Sequence, residues 1–171
     1  SITISMGGVD AANATQDVLQ ALRKSNLPDD CCINVIVGSK FPWMDEIYKT
    51  IENYPWKTAL LIDTSEMGKL LSETDLAIGA AGSSAWERCA LGVPSIMIVV
   101  AENQRVIAES LKKLNAARVI NSQQDILALL PEHICNFMTD AELLSTMSSN
   151  CSLVADGQGA ERVACLMENL I

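Results

Sequence analysis

The stretch that decides the fold runs from Ala77 to Gln104, AIGAAGSSAWERCALGVPSIMIVVAENQ. An apolar run from Leu76 to Ile78 leads into it, Gly79 and Gly82 punctuate that run, and Ser83 and Ser84 stand where a helix begins. Gly92 and Pro94 stop the helix, after which Ser95 to Val100 forms a second apolar run that ends in the polar AENQ at 101–104. The order is strand, glycine-serine turn, helix, strand, polar loop. A turn placed after a parallel strand and before a helix points its free backbone N–H groups above the sheet, which favours an anionic group there.

The same alternation extends outward in both directions. Ile2 to Met6 reads as a strand ending in Gly7-Gly8, followed by a helix from Asn13 to Lys24 with Val18, Leu19 and Leu22 on one face. Ile33 to Val37 is a continuous β-branched run ending in Gly38-Ser39, as a strand buried on both faces requires, and Met44 to Asn53 supplies the next helix. Thr58 to Ile62 is a third strand, with a short helix from Ser65 to Ser72 behind it. After Gln104 come a helix carrying Ile107, Ala108, Leu111 and Leu114, and a short strand near Arg118 to Ile120. The remainder is helical: Ser122 to Leu130, ended by Pro131; a helix opened by Thr139 and Glu142 as a capping box; and a last helix carrying Val163, Leu166, Met167 and Leu170. Strands alternating with helices predict an α/β chain, a Rossmann-like open parallel sheet flanked by helices with right-handed crossovers.

With 171 residues, 49% hydrophobic and 19% charged, the chain can bury one core and reads as a single domain over residues 1–171. The net charge of -9 and the lack of any basic stripe exclude a nucleic-acid partner, so an anionic ligand has to be held by local groups. No apolar run approaches the roughly 20 residues of a membrane span, and the start has no signal-peptide pattern, which predicts a cytoplasmic protein. Cys31, Cys32, Cys89, Cys135, Cys151 and Cys165 lack metal-ligand spacing and read as buried free thiols. Asn13-Ala14-Thr15 reads as the polar start of a helix rather than a glycosylation acceptor. Ser1 opens directly on the strand-like ITIS, which suggests a fragment of a longer, two-domain protein.

In an open parallel sheet, ligands bind beyond the carboxyl ends of the strands. That edge collects the loops Gly7 to Asp10, Gly38 to Pro42, Asp63 to Met67, Gly79 to Ser84 and Ala101 to Gln104. Their residues are small and polar: glycines for close backbone approach, serine hydroxyls, and Asn103-Gln104 for neutral hydrogen bonding. On spacing alone, Ser84 and Glu87 also fit a capping box, and Gly7-Gly8 a plain tight turn. Trp86 reads as core packing and Arg88 as a solvated helix residue. The sole histidine, His133, lies away from this edge, so neither a Ser-His-Asp nor a Cys-His set can be assembled there. The strand ends carry no acidic cluster for a hard cation, and neither a metal nor another cofactor is expected. Gly7-Gly8 lacks the third glycine of the dinucleotide fingerprint.

Four segments together carry a family likeness: SMGGVD at 5–10, TDLAIGAAGSSAWERCALGVPS at 74–95, AENQ at 101–104 and DGQGAERV at 156–163. They resemble the C-terminal half of the UDP-sugar hydrolases of pseudaminic acid biosynthesis, the PseG type, and of the related spore-coat polysaccharide proteins, the SpsG type. That family is similar in turn to the GlcNAc transferase of peptidoglycan synthesis, a GT-B enzyme of two Rossmann-like domains with the donor between them. The resemblance implies a UDP-binding domain, the C-terminal half of a GT-B fold, whose partners are a UDP-sugar and an N-terminal domain of the same protein. It implies that Glu87 takes the ribose hydroxyls, that Gly82, Ser83 and Ser84 hold the diphosphate with Gly7 and Gly8, and that the loop at Met67 meets uracil. Asn103 and Gln104 would face the sugar or its phosphate. The implied reaction is hydrolysis of UDP-2,4-diacetamido-2,4,6-trideoxy-β-L-altropyranose in pseudaminic acid and polysaccharide biosynthesis. The water-activating histidine of that family belongs to the N-terminal domain, so the catalytic residues are unknown here and this half alone is expected to be inactive. Two alternatives stay open: the donor-binding domain of a UDP-sugar-dependent glycosyltransferase, and a non-catalytic nucleotide-sugar-sensing module.

Overall fold

The apolar runs become six parallel strands of one sheet in the computed structural model, which describes residues 1–168. They are β1 (Ile2–Ser5), β2 (Cys32–Val37), β3 (Lys57–Ile62), β4 (Leu76–Ala80), β5 (Ser95–Ile98) and β6 (Arg118–Ile120), in the order β3-β2-β1-β4-β5-β6. Ile2 faces Ile33 on one side and Leu76 on the other, and Met97 lies between Gly79 and Val119. Ile4, Ile78, Ile96, Met97 and Ile98 are fully buried, consecutive residues of β5 included, because helices cover both faces of the sheet. The chain winds outward from β1 to β3, then crosses back to β4 and winds the other way. The loops after β1 and β4 therefore diverge and leave a crevice at the carboxyl edge.

The helices are α1 (Ala14–Arg23), α2 (Met44–Glu52), α3 (Met67–Ser72), α4 (Ser84–Ala90), α5 (Arg105–Lys113), α6 (Ile126–Thr139), α7 (Ala141–Val154) and α8 (Gly159–Glu168). Val18, Leu19 and Leu22 of α1 are buried as their spacing predicts, and α1 packs on α6. None of the described helices is long and apolar enough to cross a membrane.

Several local expectations are corrected. Pro131 does not end a helix: α6 runs through it to Thr139. An interior proline costs about 3 kcal/mol. Ile126, Leu130, Ile134 and Phe137 form one buried stripe, and each such side chain contributes about 1.5–3 kcal/mol, so the stripe outweighs the lost bond. The cap of α7 is Asp140, whose carboxylate accepts the Glu142 N–H at 3.0 Å, while Thr139 closes α6 by donating to the Cys135 carbonyl. Asn13 begins α1 by position only. The cap is Asp10, which accepts from the N–H groups of Ala14 and Thr15 at 2.9 Å and from the Thr15 hydroxyl at 2.7 Å. Cys31, Cys89 and Cys151 are buried free thiols, but Cys32, Cys135 and Cys165 are exposed. On α8, Val163, Leu166 and Met167 are exposed rather than packed, and Leu170 lies outside the described residues.

Candidate functional site

The expected loops meet at the carboxyl edge of the sheet around a pocket of about 380 Å³. Gly7 and Gly8 come from the β1 loop, Gly38 from β2, Asp63, Thr64 and Met67 from β3 and α3, Gly82, Ser83 and Ser84 from the β4–α4 turn, and Gln104 from the loop after β5. Two larger depressions, of about 530 Å³ beside α8 and about 440 Å³ between α1 and α2, are lined by outer helix residues such as Leu166 and Lys49. Neither gathers strand-end loops, and it is the strand ends that present unused backbone donors.

Backbone conformation explains the glycines. Gly7 has φ +99, in the left-handed region, and a β-carbon on Gly38 would overlap the carbonyl of Gly8. The two loops thus cross in backbone contact, which only glycine allows. Asp63 fixes the next loop: its N–H donates to the Val37 carbonyl at 3.0 Å and its carboxylate accepts the Ser39 N–H at 2.9 Å. Hydrogen bonding from Ser39 holds the Asp63 carboxyl below its ordinary pKa. Thr64 then accepts the Glu66 N–H at 3.1 Å in a turn that sets Met67 as the first residue of α3.

At the β4–α4 turn, the Ala85 N–H donates to the Gly82 carbonyl and the Trp86 N–H to the Ser83 carbonyl, so the N–H groups before them precede the first helical bonds. Ser84 is the first residue of α4 rather than its cap, and its hydroxyl accepts from Arg88, while Ser83 at the cap position makes no side-chain cap hydrogen bond, so the Ser84–Glu87 pair does not act as a capping box. Glu87 is exposed and lies one turn beyond Ser84, outside the pocket lining. Asn103 is also exposed and outside the lining. Gln104 lines the pocket, but its side-chain carbonyl accepts the Val100 N–H at 3.0 Å, which leaves its NH₂ group as the donor available to a ligand. Trp86 is 43% exposed, which corrects its assignment to the core: Ala85, Arg88 and Cys89 occupy the inward face of α4. His133 sits on α6 away from the pocket. Among the described residues, no group of three or more His, Cys, Asp or Glu could hold a metal ion.

Arg88 is the residue that sequence reasoning misplaced. It is only 3% exposed, beneath the β4–α4 turn. Its Nη2 donates to the Ala80 carbonyl at 3.0 Å and its Nη1 to the Ser84 hydroxyl oxygen at 3.2 Å. Its Nε has no partner, and among the described residues no carboxylate pairs with it. Burial lowers its pKa to about 10, so it stays charged at neutral pH. Gly79 makes room for it, since a β-carbon there would lie 2.8 Å from both Arg88 Nη1 and the Ser5 carbonyl oxygen. The signal was present in the spacing: Ala81, Ala85, Arg88 and Cys89 fall on one helical stripe, and the small residues mark that stripe as inward.

Both the sequence and the fold have relatives among known proteins. Spore coat polysaccharide biosynthesis protein SpsG of Bacillus subtilis is 25% identical over 177 residues, covering 99% of this chain and 50% of that protein. MurG of Acinetobacter baumannii superposes with a TM-score of 0.80 at 20% identity, over 99% of this chain and 49% of MurG. Anabaena HepE in complex with UDP-glucose superposes with a TM-score of 0.70 at 14% identity, over 96% of this chain and 48% of HepE. The chain thus spans about half the length of these relatives. Residues 4–163 match one family model, and with the sheet order and the strand-end pocket this decides the assignment: the chain belongs to the glycosyltransferase family 28 C-terminal domain family, on a GT-B-type fold.

Proposed function

We propose that this chain is the UDP-binding half of a two-domain, cytoplasmic nucleotide-sugar enzyme. The observation that carries this reading is the convergence of five strand-end loops, rich in backbone donors and hydroxyls, on one pocket at the reversal point of the sheet. Gly82, Ser83 and Ser84, with Gly7 and Gly8, hold the diphosphate. Glu87 takes the ribose hydroxyls from the rim, Met67 borders the uracil, and Asn103 and Gln104 face the sugar. The family, and the UDP-glucose bound by HepE, support the ligand class.

For the reaction we propose hydrolysis of UDP-2,4-diacetamido-2,4,6-trideoxy-β-L-altropyranose, supported by the motif resemblance and by the likeness to SpsG along the whole chain. A second reading, transfer of the sugar to an acceptor, is supported at least as well by the family match and the superposition on MurG. On either reading, we assign the reacting group to the other domain of the proposed two-domain protein. Titrating the protein with UDP by calorimetry tests the ligand: saturable binding that weakens in Glu87→Ala supports the reading, and no saturable binding refutes it. Incubating the intact two-domain protein with the UDP-sugar then separates the reactions, because a hydrolase releases UDP without an acceptor and a transferase needs one.

A further inference from the structure

The pocket poses an electrostatic difficulty if its ligand is anionic. The chain carries a net charge of -9, and no lysine or arginine lines the pocket, whose one charged lining residue is Asp63. A cation does lie beneath the floor: Arg88 donates to the carbonyl of Ala80 and the hydroxyl of Ser84, and both residues line the cavity. A buried guanidinium without a carboxylate is costly, and an apolar side chain of similar volume would fill the same space without that cost. Gly79 is also held to a bare α-carbon by the guanidinium and the Ser5 carbonyl.

We propose that Arg88 is a positioning residue for the anionic part of the ligand, acting through Ser84. A hydroxyl has one proton and two acceptor sites. Nη1 occupies an acceptor site of Ser84 Oγ, so the Ser84 proton remains free to donate to a phosphate oxygen, and the turn is fixed by the second bond to Ala80. The unpaired charge beneath the floor is neutralised when the diphosphate enters above it, so the counter-charge that the fold omits is supplied by the ligand. This rests on the UDP-binding reading above.

The test compares UDP with uridine, which shares the base and ribose but lacks the phosphates. Affinities are measured by calorimetry for the parent protein, Arg88→Met, Arg88→Lys, Ser84→Ala and the Ser84→Ala/Arg88→Lys double variant. Arg88→Met should weaken UDP roughly tenfold or more and leave uridine within about twofold, whereas a purely structural role would weaken both alike. Arg88→Lys keeps the charge but not the two-pronged geometry, so it should fold and still lose selectivity for UDP. Adding it to Ser84→Ala should cost little more than Ser84→Ala alone, because the two act as one unit. If the parent prefers UDP and both Arg88 variants keep that preference, the positioning role is wrong and the pocket assignment stands. If the parent itself does not distinguish UDP from uridine, the pocket assignment falls and the role of Arg88 falls with it.

Discussion

The carboxylate of Asp63 accepts the backbone N–H of Ser39 at 2.9 Å, so one exposed hydrogen bond joins the ends of β3 and β2 at the mouth of the pocket. Its pKa is depressed by hydrogen bonding from the Ser39 side chain first and from this N–H second, which means that the bond is complete above the ordinary carboxylate value of about 3.9 and is lost as pH falls through the lowered folded value. The Ser39 amide proton should follow this titration by NMR, with its midpoint on the acid side of the ordinary value. In Asp63→Asn the amide should not titrate in that range.

The contact between Gly38 and Gly8 leaves no space for a β-carbon. Gly38→Ala has to push the two loops apart, with an expected loss of about 1–3 kcal/mol in stability by urea unfolding. UDP affinity should fall as well, since both residues line the pocket.

Glu87 makes no cap in α4 and is exposed. Glu87→Ala should therefore shift unfolding stability by less than about 0.5 kcal/mol while weakening UDP by about 1.5–3 kcal/mol, the worth of a charge-assisted hydrogen bond. A loss of stability without a loss of binding would return Glu87 to a structural role.

His133 has its pKa lowered by burial first and by Arg118 second, so the folded state favours the neutral ring. The unfolded chain binds the proton more readily, and stability should fall as pH drops from about 6.5 through the folded value. As this is the chain's sole histidine, His133→Gln should flatten the melting temperature between pH 7 and 5.

The sheet was legible because its signals are redundant: Ile33 to Val37 is β-branched throughout, and the glycine pairs at 7–8 and the turn at 79–84 mark strand ends independently. The pocket followed from topology, since parallel strands place all these loops on one side. What failed turned on which of two competing local signals wins. Pro131 interrupts the stripe of Ile126, Leu130, Ile134 and Phe137, whose burial carries α6 through it, and Asp10, four residues before Ala14, makes the cap that Asn13 holds by position only. Arg88 was misread because charge outweighed position; its place on the Ala81, Ala85, Cys89 stripe was the better guide.

The strand order also governs how the molecule assembles. β1 bonds to β2 on one side, Ile2 facing Ile33, and to β4 on the other, Ile2 facing Leu76, so neither half of the sheet is complete without it. The second pairing closes a loop holding three helices and two strands, and a closure of that length is entropically expensive before any contact rewards it. Docking of β1 against β4 is thus the expected slow event of folding. Until it occurs, Gly7 and Ser84 belong to unconnected parts of the chain, and the pocket comes into being only with that pairing.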